Sequence, residues 1–135
     1  MSGVPALLGV HHVAIITADY ARSKRFYTEV LGLRVVAETW RAERESWKLD
    51  LAGPGGIAIE LFSFPAPPLR PGRPHSAEAC GLRHLAFAVA DVAAAKAALE
   101  AAGVVVEPIR VDELTQRRFT FFFDPDALPL ELYET

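Results

Sequence analysis

Two histidines and two glutamates in this chain recur in matching surroundings: His12 in GVHHVAII and His84 in GLRHLAFA, Glu60 in IELF and Glu131 in LELY. Imidazole nitrogen and carboxylate oxygen both bind borderline divalent ions. Two of each make an N2O2 set that suits Zn, Ni, Co, Mn or Fe better than Ca or Mg. His12 and Glu60 are 48 residues apart and His84 and Glu131 are 47 apart, so the same pair is written twice at nearly one interval. A lone His or Glu on a strand is usually a solvated or locally satisfied side chain. The recurrence is what singles out these four, and we expect them to hold one divalent ion.

The elements that must position them repeat as well. GVHHVAIITADYARSK from residue 9 matches GLRHLAFAVADVAAAK from residue 81 at Gly9/Gly81, His12/His84, Ala14/Ala86, Ala18/Ala90, Asp19/Asp91, Ala21/Ala93 and Lys24/Lys96, all at an offset of 72. Gly32/Gly103 and Glu60/Glu131 follow at an offset of 71, which places one extra residue in the first helix or at its end. Each half reads as strand, helix and three strands. Asp19 and Asp91 are good N-caps, because a short carboxylate accepts from the free N–H groups of a first turn. A helix is expected from Tyr20 to about Leu31, with Phe26/Val30 and Tyr27/Leu31 as its buried stripe and Gly32 as a left-handed cap. Strands follow at RVVAETW, ESWKLDLAG and IAIELFSF. The second half has an Ala-rich helix closed by Gly103, then strands near VVVEPIR, RRFTFFF and LPLELYE. The predicted fold is therefore α+β: two βαβββ modules, about 9–64 and 81–134, forming one domain with a curved mixed sheet that cups the metal site and helices on the outer face. Residues 65–80 join them, and five of the ten residues in PAPPLRPGRP are Pro, a composition that favours a semi-rigid extended spacer.

Strand alternation gives the four residues a common direction, since successive side chains point to opposite faces. Val13 and Ile15 oppose His12; Ile57, Ile59 and Leu61 oppose Glu60; Leu85, Phe87 and Val89 oppose His84; Leu130 and Leu132 oppose Glu131. If the apolar faces pack on the helices, the four polar side chains project from the other face into the cup. The same parity puts Ser46, Lys48 and Asp50 on the cup side and Trp47 and Leu49 in the core. Ser46 and Lys48 are candidate substrate contacts, with Lys48 placed to orient an anion or else solvated. His11 is expected to face away from His12 and to be structural. Arg70, Arg73 and His75 could form a cationic lid or an ordinary surface loop, and Arg117 and Arg118 carry no assigned role.

Bulk properties narrow the partners. With 51% hydrophobic residues, 135 residues are enough to fold around a core without staples. No apolar run approaches the roughly 20 residues needed to span a bilayer. Fourteen basic against seventeen acidic side chains give a formal charge of -3, the wrong sign for general nucleic-acid binding. A single cysteine, Cys80, cannot form an internal disulfide, and MSGVPALLGV lacks a basic segment before its apolar stretch, so a cytoplasmic protein with a small-molecule partner is expected.

In order and spacing, HHVAIITADY, the LGL after the first helix, IELFSFP, GLRHLAF and DPDALPLELYE resemble the vicinal oxygen chelate superfamily of glyoxalases, bleomycin resistance proteins and dioxygenases, in its short YaeR-type glyoxalase-like branch. The similarity spans Gly9 to Glu134. It implies paired βαβββ modules around a metal, with His12, Glu60, His84 and Glu131 at the metal positions, and a homodimer. Two departures stand out. Where glutathione-binding glyoxalases resemble one another in an Arg four residues after the first His and an Asn four after the first Glu, this chain has Ile16 and Phe64. Ala127 replaces the Gly of the usual DPDG turn, which costs on the order of 1 kcal/mol if that position needs positive φ.

The resemblance implies a metal-dependent lyase or isomerase acting on a small, vicinally oxygenated substrate. Four protein ligands on an octahedral ion leave two positions for such oxygens, the ion acts as a Lewis acid, and Glu131, then Glu60, is the candidate base. Two alternatives have the same fold behind them. An Fe(II) ring-cleaving dioxygenase ordinarily uses two His and one carboxylate, leaving room for oxygen and a bidentate substrate. A non-catalytic binding protein of the drug-resistance type needs no metal.

Overall fold

The computed structural model describes residues 3–70 and 80–135, and the chain divides after Pro67 into two units. The first holds β1 (Val13–Thr17), α1 (Tyr20–Arg25) with a wider π-helical turn at Phe26–Val30, β2 (Arg34–Arg41), β3 (Ser46–Gly53) and β4 (Ile57–Ser63). The second holds β5 (Leu85–Val89), α2 (Val92–Ala101), β6 (Arg110–Val111), β7 (Arg118–Phe123) and β8 (Pro129–Glu134). Each forms a four-stranded mixed sheet, ordered β1-β4-β3-β2 and β5-β8-β7-β6. The first strand of each sheet runs parallel to the last, and the other pairs are antiparallel. The α+β class and the βαβββ plan are thus as expected, with one open sheet in each module.

The one-residue slip between the halves has a structural cause. Asp19 and Asp91 cap their helices as read, accepting from the N–H groups of Arg22 and Ala94 at 3.1 Å each. The second helix then ends normally: Gly103 (φ 86°) turns left-handed, its N–H reaches the Glu100 carbonyl, and the Val104 N–H reaches the Leu99 carbonyl five residues back. The first helix closes one residue wider. Leu31 N–H bonds the Phe26 carbonyl, five back, and Leu33 N–H reaches the Tyr27 carbonyl, six back, beside Gly32 (φ 74°). The helix expected to run regularly to Leu31 instead absorbs its extra residue as a π-turn. This lets Phe26 and Tyr27 stay buried while β2 still begins in phase.

Alternation places the cores as predicted. In the first unit Ile15, Leu49, Leu51, Ile59 and Leu61 join Phe26, Tyr27 and Leu33; in the second Val92, Leu99 and Val106 join Phe122, Leu130 and Leu132. Fully burying one such side chain stabilises by about 1.5–3 kcal/mol, so these layers dominate the fold. The strand expected near VVVEPIR is a correction: pairing is limited to Arg110–Val111. Pro108 has no N–H to give to a ladder, and upstream of it only the Glu107 N–H bonds the Phe121 carbonyl. Arg118 gains a role. It donates twice to Glu134, which also accepts from the Val92 N–H, fastening β7 and β8 to the start of α2. That guanidinium holds the Glu134 carboxyl below the usual carboxylate range. No helix among the described residues is long and apolar enough to cross a membrane.

Candidate metal centre

Each module brings one histidine to one glutamate. Ala14 pairs with Glu60 across β1 and β4, and Ala86 pairs with Glu131 across β5 and β8. His12 and His84 lie two residues before these alanines, just ahead of the strand, and so share their face. The one-carbon side chain of Ala leaves room for the imidazole to lean over the carboxylate. His12 Nδ1 lies 3.4 Å from Glu60 Oε2, and His84 Nε2 lies 3.0 Å from Glu131 Oε1.

Those separations fit the donor chemistry. Two donors at adjacent vertices around one ion, each at about 2.1 Å, are about 3.0 Å apart in an octahedron and about 3.4 Å in a tetrahedron. Each pair can therefore offer one nitrogen and one oxygen to the same ion. Among the described residues no group of three or more His, Cys, Asp or Glu side chains is gathered at one point, and the four residues stand as two pairs, one per unit.

The surroundings of the pairs differ. In the first unit Glu60 faces Asp50 across β3 and β4, and the Lys48 ammonium lies 3.3 Å from Asp50 and 3.8 Å from Glu60. In the second, Glu131 faces Phe121, whose ring meets the His84 imidazole edge-on at 5.0 Å, and no ammonium or guanidinium among the described residues comes within ion-pair distance of it. Its residue is 9% exposed, and His84 Nδ1 is shut from water with no hydrogen-bond partner among the described residues.

The other candidates divide. Lys48 is on the Glu60 face, as read. Ser46 is also on this face but wholly buried, accepting from Arg41 Nη2 at 2.7 Å and donating to the Trp47 carbonyl, so it braces an arginine and is not open to a substrate. His11 corrects its expectation. His12 adjoins β1 and keeps its phase, but His11 lies one residue further out where no ladder enforces alternation, and the two Nδ1 atoms approach to 2.9 Å with rings at 84°. Ile16 is 56% exposed, while Phe64 stacks on Phe62 with centroids 6.3 Å apart. Arg70 is exposed, and Arg73 and His75 lie outside the described residues. Two features went unread. Arg41 ends β2 opposite Ser46, a placement set by the β2–β3 register across the intervening turn and not by spacing along the chain. Tyr133, which donates to Asp112 at 2.9 Å and hydrogen-bonds Thr115, ties the 112–117 turn to β8, a contact between distant residues that spacing does not announce.

With the modules and their paired His and Glu residues in place, comparison with known proteins is decisive for the family. The sequence model of the Glyoxalase/Bleomycin resistance protein/Dioxygenase superfamily matches residues 9–132. The chain belongs to this superfamily. It is 62% identical over 125 residues to the uncharacterized protein YaeR of Escherichia coli (strain K12), covering 93% of this chain and 95% of that one. Among solved structures, SMU.1112c superposes with a TM-score of 0.87 at 48% identity, over 95% of this chain and 99% of that one. A more distant relative, 32% identical over 149 residues and covering 96% of this chain and 81% of its own, is the 2-epi-5-epi-valiolone epimerase of an Actinomyces species. At 18% identity and a TM-score of 0.74, covering 96% of this chain and 94% of its own, the fosfomycin resistance protein FosX of Listeria monocytogenes shares the fold; its crystal structure holds Mn(II). The relatives thus include a protein named as an epimerase, and the shared fold includes one that holds Mn(II).

Proposed function

We propose that the chain is a divalent-metal-dependent lyase or isomerase acting on a small, vicinally oxygenated molecule, with His12, Glu60, His84 and Glu131 as the ligands of one ion. The observation that carries this reading is the repeated His–Glu pair, set at 3.4 and 3.0 Å in two modules of otherwise different surroundings. Both pairs would serve the same ion, whether drawn from one chain or from the two chains of a homodimer. The exposed, unpaired Cys80 suits the reducing cytoplasmic setting in which such an enzyme is expected. The epimerase relative supports isomerase or lyase chemistry over the oxidative alternative, and the four-ligand set leaves less room for oxygen than an Fe(II) dioxygenase needs.

When bound, a divalent ion would supply Lewis-acid stabilisation of negative charge developing on the substrate oxygens. The chain's own residues would do the rest. Glu131 is the candidate base: it faces Phe121 across β7 and β8 with no ammonium or guanidinium among the described residues within ion-pair distance, and its carboxylate would take a proton from carbon and return it. Glu60 is the second candidate, and Lys48, 3.8 Å away, holds it in place from the neighbouring strand. With Ile16 and Phe64 where glutathione contacts would stand, the substrate need carry no glutathione.

Elemental analysis of the purified protein beside its His12→Ala and His84→Ala variants tests the reading. Stoichiometric divalent metal in the wild type and its loss in both variants is the expected result; equal metal in all three would sink it. Deuterium uptake from D2O into a vicinally oxygenated carbonyl compound, abolished by Glu131→Gln with metal retained, would then identify the base. Oxygen consumption with catechols, or tight metal-free binding of an unchanged ligand, would instead select the dioxygenase or the binding protein.

A further inference from the structure

Arg41 is a cation with no counter-ion among the described residues. It closes β2 beside Ser46, and its guanidinium carbon lies 4.7 Å from the centre of the Phe62 ring and 5.7 Å from that of Phe64. One hydrogen bond, Nη2 to Ser46 Oγ, is its whole complement among the described residues; Nε is buried without a partner, and no carboxylate comes within ion-pair distance. Guanidinium does not give up its proton, so the charge is permanent. A half-buried charge is ordinarily neutralised by a carboxylate, because withdrawing it from water is costly. Lys48, the next cation on the same face, is already paired with Asp50 and Glu60, which makes the contrast local and chemical.

The register places this cation with respect to the Glu60 pair. Parity sets Arg41, Ser46, Lys48, Asp50, Glu60 and Phe62 on one face, Lys48 opposite Phe62 and Asp50 opposite Glu60. The Ser46 and Asp50 rows are four residues apart on β3, about 14 Å along the backbone. Arg and Glu side chains leaning toward each other shorten that to the length of a small metabolite. One end of the face is acidic with a histidine, the other is cationic, and the aromatic ring of Phe62 lies between them.

We infer that Arg41 receives the oxyanion of the substrate, a carboxylate or phosphoryl group, while its oxygenated end lies toward Glu60; this substrate class rests on the metal-dependent reading above. The anion supplies the missing counter-charge, and Phe62 and Phe64 keep the guanidinium plane presented by stacking beneath it.

The test uses the full chain stripped of metal, in two-dimensional ¹⁵N NMR at constant ionic strength, titrated with inorganic phosphate and separately with acetate. A saturable shift of the Arg41 Nε–H signal and of the Ser46 and Phe62 amides is expected. Arg41→Gln should weaken the amide response about tenfold or more, about 1.4 kcal/mol. Arg41→Lys should keep part of it, Phe62→Leu should weaken it, and Arg25→Gln, an exposed helix cation, should leave it alone. A stronger response to phosphate assigns a phosphoryl group and a stronger one to acetate a carboxylate, and each upholds the oxyanion site. No saturable response, or one unchanged in both Arg41→Gln and Arg41→Lys, overturns it. Metal content is read on the same preparations before stripping: metal retained in Arg41→Gln as purified but no phosphate response in any stripped sample removes this inference alone, whereas wild-type metal content in His12→Ala as purified removes the metal reading and leaves the anion site standing.

Discussion

Replacing Ala127 with Gly should stabilise the protein. The DPDAL turn places its alanine in the left-handed region that favours glycine: Asp124 Oδ1 accepts from the N–H groups of Asp126 and Leu128 at 2.9 Å each, Ala127 N–H bonds the Asp124 carbonyl, and Ala127 sits at φ 66°. A side chain with a Cβ in that region costs about 1–2 kcal/mol. Glycine removes the clash but adds freedom to the unfolded chain, worth about 0.4–1 kcal/mol in the other direction. The net gain is about 0.5–1 kcal/mol. At an unfolding entropy of about 2.1 cal/mol/K per residue, all 135 residues unfolding together give about 0.28 kcal/mol/K, and hence a rise in Tm of about 2–4 °C. If the second unit melts by itself, its transition moves about twice as far. Thermal melts followed by circular dichroism, with urea midpoints as a check, measure the effect. An unchanged or lowered Tm in Ala127→Gly would refute the reasoning, because it would mean that the turn imposes no strain on alanine.

Two further outcomes follow from the first helix. Its Glu38 partner on β2 accepts from Lys24 Nζ at 2.8 Å and from the Tyr20 hydroxyl, and these bonds, the Lys24 one first, hold the carboxyl below its ordinary value of 4.5. The charged form is thus favoured by folding. Its contribution is complete above pH 4.5 and is lost as pH falls through the lowered value, so Glu38→Gln should lower the urea midpoint at pH 7, and the difference from the wild type should shrink steadily as pH is taken below 4.5. Deleting Glu29, exposed within the π-turn, should return the helix to regular i→i+4 bonding with the fold retained, as judged by a cooperative melt. Deleting Ala97 from α2, which has no spare residue, should rotate everything beyond it by about 100° and abolish that melt.

Much of the site was legible because the relevant periods are short. Period-2 alternation in IAIELF and LPLELY determined that Glu60 and Glu131 oppose the core, and the repeat determined that each has a histidine in register. The two aspartate caps and the glycine stops were equally local. His11 was misplaced because alternation was extended one residue group past the start of β1, into backbone that has no ladder to enforce it. Ser46 lies on the face that parity gives it, but parity states direction and says nothing of the arginine that already engages its hydroxyl. The strand at VVVEPIR failed for a reason present in the sequence, a proline with no N–H, whose consequence depends on whether a partner strand needs that donor.

The sequence by itself determined the modular repeat, the fold class and the face on which Lys48, Glu60 and Glu131 lie, because these follow from residue type and spacing along one strand or helix. Only the tertiary structure decided where the extra residue goes, that Arg118 belongs to Glu134 and Arg41 to no carboxylate among the described residues, and that Glu60 has Lys48 near it while Glu131 faces Phe121. Those are pairings between residues on different strands. They depend on register and on what each neighbouring side chain leaves unfilled, and neither quantity is periodic in the sequence.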